Sequence, residues 1–210
     1  WFQRYYLMPL CGAIWSTGPD EVCNFPARTL VQFFRNHALL STSGQHQWWT
    51  VDGGSVEYVR RLEHYLRGRG VAIRTNTPVR GITRDAHQID VHSSAGPHAP
   101  FDQVILACHS DQALRLLEHP TPQERAALTA IRFQNNEVIL HRDISQMPRR
   151  KAVWSSWVYK ADSTRSDFSI GVTYWMNRLQ NIPESDPLFV SLNPTEPVPE
   201  HLIYDQNTLR

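Results

Sequence analysis

A glycine pair, Gly53 and Gly54, runs directly into Ser55, an amphipathic stretch and then an alternating one, and this succession constrains the fold more than any other feature of the chain. Glycine accepts the positive φ of a tight turn, and serine caps helix starts. Val56, Val59, Leu62 and Leu66 then recur at helical intervals until Gly68 and Gly70 end the helix. "VAIRTN" follows at once, alternating Val71 and Ile73 with polar residues at the period of a strand. Turn, helix and strand in such close order predict a domain that mixes helices with sheet. A helix start behind glycines also presents free N–H groups that suit an anion. The turn can therefore be a fold joint or part of a site, and a lone glycine pair does not separate the two.

The rest of the chain extends this pattern. Upstream, "FPARTLVQFFRNHALL" predicts a buried helix, with Pro26 at its start and Leu30, Phe33, Phe34 and His37 near one face. His37 has no second ligand-type residue at matching spacing, so it reads as a packed histidine. Downstream of "VAIRTN", "PVRGITRD" reads as a turn-prone connector, "HQIDVHS" as an alternating strand and "FDQVILACHS" as a buried strand. Two short helices follow, "DQALRLLEH" and "TPQERAALTAI", the second opened by a capping box of Thr121 and Glu124 with Pro122 at its first position. "NNEVILHRD", "AVWSSWVYK" and "FSIGVTYWMN" read as strands rich in β-branched and aromatic residues, most simply joined in an antiparallel sheet. From Asn181 onward, Pro183, Pro187, Pro194, Pro197 and Pro199 predict an extended arm or loop.

Composition narrows the function class. With 21 basic and 20 acidic side chains, the chain lacks the charge footprint of a nucleic-acid or anionic-membrane binder, which leaves a small molecule as the expected partner. Cys11, Cys23 and Cys108 are odd in number and show no CxxC spacing, so neither a disulfide framework nor a metal site is expected, and a reducing cytoplasm suits them. No apolar run approaches the ~18 residues of a membrane span. The chain starts at Trp1, without initiator methionine or signal-peptide regions, and reads as a piece of something longer.

The order of glycine pair, helix, "VAIRTNTPVRGI", hairpin-like pair and "FDQVILACHS" leading into "DQALRLL" resembles the flavin-containing amine oxidase superfamily. The closest likeness is to a bacterial group of predicted NAD/FAD-binding amine oxidoreductases, carried by "YLMPLCGAIWST", "FFRNHALL", "QWWTVDGGSVEYV", "VILACHSDQALRLL", "NNEVILHRD" and "MPRRKAVWSSWVY". The resemblance implies an α+β fold with α/β character: an antiparallel substrate-domain sheet with helices, plus an inserted part of an FAD/NAD(P)-binding domain. The expected divisions are a helical substrate-domain part at 1–50, a portion of the FAD-binding domain at 51–112, substrate-domain helices and sheet at 113–180, and the arm at 181–210.

The resemblance also implies a cofactor, FAD, and residues that meet it. Gly53 and Gly54 would mark where the chain re-enters the FAD-binding domain. Val79 matches a valine whose backbone groups meet the adenine, and Ala107 and Cys108 match small residues at the end of a strand that approaches the cofactor. Trp154, Trp157, Tyr159, Tyr174 and Trp175 would lie on substrate-domain strands, with Trp157 and Tyr159 on one face, Trp154 on the other, and one face lining a substrate cavity. Two features depart from the family pattern. The GxGxxG fingerprint that cradles a pyrophosphate is absent and is expected upstream, as is a closing FAD segment downstream. Asn136 or Glu137 stands where many amine oxidases carry a lysine near the flavin, so the catalytic residue stays unnamed. The expectation is thus an internal fragment of an FAD-dependent oxidoreductase with an apolar substrate, inactive by itself and prone to self-association. The alternatives are a desaturase or isomerase for a lipid-like substrate, and a non-catalytic module that binds a ligand or partner.

Overall fold

The stretch MPLCGAIW is apolar on every side, and a helix of that kind must be buried all round. In the computed structural model, which describes every residue except 1, 16–18, 42, 45, 48, 162–169 and 210, it forms α1 (Met8–Trp15) after a π-helical turn at Gln3–Leu7. The chain forms two units, one of residues 1–61 and 135–210 and one of residues 62–134. The smaller unit runs past the expected boundary at 112, because the two helices between Ser110 and Ala130 pack on each other and the first of them on its first strand.

In the larger unit, α1 is followed by α2 (Pro19–Val22) and α3 (Ala27–Asn36). Leu10, Cys11 and Phe34 form a core with partly buried Leu30, Phe33 and Trp157 around it. His37 caps α3 half-buried, its Nδ1 2.8 Å from the Phe33 carbonyl and its ring stacked on Phe33 at 4.0 Å, a satisfied histidine as the sequence suggests.

The sheet of this unit is built from β4 (Asn136–His141), β5 (Trp157–Ala161), β6 (Ile170–Trp175), β7 (Phe189–Leu192) and β8 (Ile203–Leu209), in the spatial order β5-β6-β7-β4-β8. Every pairing in it is antiparallel. The expected start of β6 at Phe168 and Ser169 lies outside the described residues. Cross-strand partners share a face. Trp157 pairs with Tyr174 and Tyr159 with Val172, and α1 packs on the strands that carry them. The opposite face presents Trp175 and Phe189, packed with Met147, Trp154 and Val158 as a second core.

The expected proline-rich arm is corrected by two of these strands. Pro183 and Pro187 precede β7, and Pro194, Pro197 and Pro199 fall between β7 and β8, while "FVSL" and "IYDQNTL" contain no proline and complete the ladder. Prolines here end strands without preventing them. The short helix α7 (Met176–Gln180) leads into this region, and Asn177 at its start is buried. Its amide donates to the carbonyls of Pro183 at 2.8 Å and Asp186 at 2.7 Å, and its Oδ1 accepts from Leu188 N–H at 2.8 Å. One side chain thus replaces the backbone bonds that a proline-interrupted loop cannot make.

The smaller unit contains the second half of α4 (Ser55–Gly68), a meander of β1 (Val79–Arg84), β2 (Ile89–Ser93) and β3 (Gly96–Pro97), then α5 (Ser110–Leu116) and α6 (Pro122–Ala130). The connector expected at "PVRGITRD" is in fact β1, since Val79, Ile82 and Arg84 find partners across the hairpin. Asp85 closes that turn by accepting from the N–H groups of His87 and Gln88, bonds that hold its carboxyl below the usual range. The capping box at α6 forms as the sequence predicts.

Two expected strands form no ladder. Residues 71–75 and 103–107 take no regular secondary structure, and among the described residues the second run is tied only at its head, where Phe101 bridges Ile89. Far from being a buried strand, 103–107 leaves Ile105 91% exposed. An apolar run becomes a buried strand only when neighbours take its N–H and C=O groups.

Candidate functional site

Gly53 and Gly54 have φ of +79° and +84°, so the turn before α4 uses the freedom that glycine alone gives cheaply. A Cβ on Gly53 would lie 3.0 Å from the Glu57 Cγ. Glu57 occupies the first turn of α4 and pairs with Arg60 at 2.6 Å, so the helix start already carries a carboxylate. The arrangement favours the joint over an anion site.

The smaller unit contains two cavities. The first, of about 610 Å³, lies among β1, α5, α6 and the extended run, with Val104, Leu106 and Cys108 on its wall. Of Ala107 and Cys108, expected together beside a cofactor, Cys108 lines this cavity and Ala107 does not, and both are exposed, so Cys108 is not packed as expected. At the wall of this cavity Arg84 grips Glu124 through two nitrogens and two oxygens, holding the Glu124 carboxyl down at about 2.

The second cavity, of about 540 Å³, is lined by Val79, with Val91 and Phe101 beside it and Arg74, Thr77, Ser93 and His98 among its polar residues. Val79 begins β1 opposite Ser93, next to a register shift that turns the main chain. Arg74, Ser93 and His98 escape sequence reasoning because they lie far apart along the chain with no motif spacing.

Of the aromatic set, Trp157 and Tyr159 share a face of β5, whereas Trp154, expected on the same strand, lies before it at the end of a 3-10 turn (Lys151–Val153) and packs in the second core. Tyr159 Oη donates to the Tyr5 carbonyl at 3.2 Å. Burial pushes the phenols of Tyr159 and Tyr174 above their ordinary range, with Tyr6 adding to the effect at Tyr159. Trp154 stands edge-on to Trp175 at 5.1 Å and donates to the Pro148 carbonyl, so these two indoles are core. Neither cavity described above is lined by the aromatic set.

At one end of this sheet, Asn193 Nδ2 donates to Asn136 Oδ1 at 2.8 Å, and Asn193 Oδ1 accepts from Glu137 N–H at 2.9 Å. The Glu137 carboxylate accepts from the Gln206 amide at 2.6 Å. Inside the sheet, His141 Nδ1 accepts from Asp143 N–H, which puts the ring proton on Nε2, 2.8 Å from Ser191 Oγ, which in turn meets Thr173 Oγ1 at 2.7 Å. Burial pushes the His141 imidazole below its ordinary range against the opposing pull of Asp143. With no exposure to solvent, His141 fastens the sheet and is not placed to exchange protons with a ligand. Among the described residues, no group of three or more His, Cys, Asp and Glu side chains could hold a metal ion, and no helix is long and apolar enough to cross a membrane.

A family model described as flavin-containing amine oxidoreductase matches residues 4–139. No curated protein matches the chain. Among solved structures, the chain is similar to a putative protoporphyrinogen oxidase from Exiguobacterium sp. 255-15, with 19% identity and a TM-score of 0.54 over 89% of this chain and 40% of that one. The shared fold is a mixed one of helices and antiparallel sheets, and the chain spans less than half the length of this neighbour.

Proposed function

The chain belongs to the flavin-containing amine oxidoreductase family, and from that premise we propose that it supplies the substrate domain and an inserted part of the cofactor domain of an FAD-dependent oxidoreductase. The observation that carries this reading is the pair of apolar extended segments, 71–75 and 103–107, which lack ladder partners among the described residues beside a meander whose first residue is Val79. Strands of that composition belong inside a sheet, and the chain matches only 40% of its structural neighbour. The rest of such a polypeptide would supply the partner strands and the glycine-rich cradle for the pyrophosphate. The Val79 cavity suits the adenine end of the cofactor, with apolar walls and a few convergent polar groups.

Flavin, when bound, accepts a hydride from the substrate. The residues of this chain contribute orientation and exclusion of water. Val79 offers main-chain groups to the adenine, Gly53 and Gly54 turn the chain into the cofactor domain, and the face of Trp157, Tyr159 and Tyr174 backs an apolar substrate. Ala107 and Cys108 remain at the end of the run that approaches the cofactor. A reducing cytoplasm fits its unbridged cysteines.

One observation favours a non-amine substrate. The position where a lysine is expected is held by Asn136 and Glu137, and both side chains are engaged by Asn193 and Gln206. A desaturation or isomerisation of a lipid-like substrate accords with that lysine-free, tied-down end.

The reading is tested on the complete polypeptide, which is expected to purify yellow and to bleach anaerobically with its substrate. Val79→Ala should leave FAD affinity nearly unchanged, whereas Val79→Pro removes an N–H and should weaken it. Equal loss in both variants contradicts the main-chain role, and a colourless complete polypeptide that takes up no FAD contradicts the function. The 210-residue chain alone is expected to show no submicromolar FAD binding and to self-associate in light scattering, since α4 buries none of its residues and exposes Val56, Tyr58, Val59 and Tyr65.

A further inference from the structure

The cavity of about 610 Å³ in the smaller unit shares no lining residue with the Val79 cavity. Glu124, Ala127, Leu128 and Ile131 line it from α6 and its C-terminal cap, at the i, i+3, i+4 and i+7 spacing of one helical face. α6 buries none of its residues, so this face is not spent on core packing. Ala113 of α5, Ile82 of β1 and Val104 and Leu106 of the run at 103–107 complete apolar walls drawn from four elements. A space of this size, chiefly apolar with a few polar groups, is what a small-molecule site provides.

The polar groups stand at opposite ends of α6. Arg84 meets Glu124 in the first turn of the helix, whereas Ser110 Oγ donates to the Ile131 carbonyl at 3.3 Å and so sets His109, one residue earlier, beside the other end. About 10 Å of helix axis separates the two. They offer different things to a ligand. Arg84 and Glu124 spend their charges on each other, and Glu124 also accepts from Thr121 N–H at 2.8 Å, so that end presents no net charge. His109 is stacked flat on Phe133 at 4.2 Å, and among the described residues neither of its ring nitrogens has a hydrogen-bond partner. An imidazole offers a donor and, in its neutral form, an acceptor as well, which together match a hydroxyl. We propose that this cavity binds an uncharged, chiefly aliphatic molecule with one hydroxyl group, that His109 receives the hydroxyl, and that carboxylates are rejected because Glu124 already occupies Arg84. The proposal does not depend on the FAD reading.

The probes are 1-octanol and octanoate, titrated at neutral pH into the 210-residue chain and followed through the methyl chemical shifts of Ile82, Leu117 and Leu128. 1-Octanol is expected to shift all three saturably, and octanoate to bind about tenfold more weakly, since its charge would be buried without a partner. Ala127→Trp, at an exposed position on the wall, should fill the cavity and abolish the saturable shifts. His109→Phe keeps an aromatic stack on Phe133 but has no ring nitrogen, and should weaken 1-octanol about threefold to tenfold. Glu124→Gln preserves the capping box, which accepts glutamine as readily, and releases Arg84; octanoate should then gain about tenfold while 1-octanol hardly changes. Octanoate binding the wild-type chain as well as 1-octanol, no gain for octanoate in Glu124→Gln, unchanged 1-octanol affinity in His109→Phe, or shifts that do not saturate or that survive Ala127→Trp would each overturn the proposal. The same titration of the complete polypeptide should give the same shifts. If 1-octanol no longer reaches these methyls there, the cavity is filled by the rest of the polypeptide or its cofactor and the proposal falls. If 1-octanol binds but the complete polypeptide takes no flavin, this site stands and the FAD reading falls.

Discussion

Replacing Asn177 tests how a proline-interrupted loop is held. Its side chain makes three good hydrogen bonds, to the Pro183 and Asp186 carbonyls and from Leu188 N–H, and is itself buried. Each such bond contributes about 1 kcal/mol net, and a buried group left unpaired costs roughly 1–3 kcal/mol more. Pro183 and Asp186 are exposed residues, so water can reach their carbonyls when the amide is lost, whereas Leu188 is half-buried. Asn177→Ala should therefore destabilise the larger unit by about 2–4 kcal/mol. Asn177→Asp keeps the acceptor for Leu188 but turns a carboxylate oxygen toward two carbonyls. It should be at least as damaging at neutral pH and should recover, relative to wild type, as acid protonates the new carboxyl into a donor. Urea unfolding followed by tryptophan fluorescence reads this directly, because Trp175 adjoins α7 and changes environment when the sheet opens. A loss below about 1 kcal/mol for the alanine variant, or an aspartate variant whose deficit does not shrink in acid, would show that the loop holds itself without this side chain.

Three further outcomes are expected. Gly171→Ala would place a Cβ 2.9 Å from the Asn193 carbonyl oxygen and 3.2 Å from Pro194 Cα, both backbone, and should cost about 1–3 kcal/mol in the same unfolding measurement. Acid should weaken the larger unit through His141: its folded pKa lies below the unfolded value of 6.5, so stability is complete above that value and falls as pH drops from it toward the folded one. Asp143 continues the decline below 3.8: burial raises its pKa, but the Ser145 and Gln146 bonds and His141 outweigh that and hold it lower; His141→Gln should flatten the first part of the pH profile of urea midpoints. Under native conditions a maleimide should label Cys23 and Cys108 rapidly and Cys11 only on unfolding, because Cys11 is buried and burial pushes its thiol up; labelling of all three at one rate, read by mass spectrometry, would contradict the packing of α1.

Much of the fold was legible wherever a local signal decides the outcome. The capping box at Thr121, the glycine turn before α4 and the alternation that puts Trp157 and Tyr159 together all depend on neighbours within a few residues, and all are found. What was missed depends on distant partners. "PVRGITRD" looks like a connector until Val79 meets Ser93, and "FDQVILACHS" looks like a buried strand although among the described residues only Phe101 bridges, to Ile89, and no ladder runs along it. The prolines of the tail announced breaks correctly, but the strands between them gain their order from β4. The candidate site follows the same division. Val79 was singled out through family resemblance, whereas Arg74, His98 and Ser93, joined by hydrogen bonds on the same cavity wall, are residues that no spacing rule connects.

The strand order β5-β6-β7-β4-β8 also fixes when this sheet can assemble. Of its strands β4 comes first from the ribosome, yet both of its neighbours, β7 and β8, follow β5 and β6 in the chain, on either side of Pro194, Pro197 and Pro199. Throughout synthesis β5 and β6 can form a hairpin, while β4 waits with both edges open and its apolar side chains without cover. Removing β8 would leave one edge of β4 open even after β7 has paired with the other, so residues 203–209 govern the yield of folded protein far more than their exposed, polar appearance suggests.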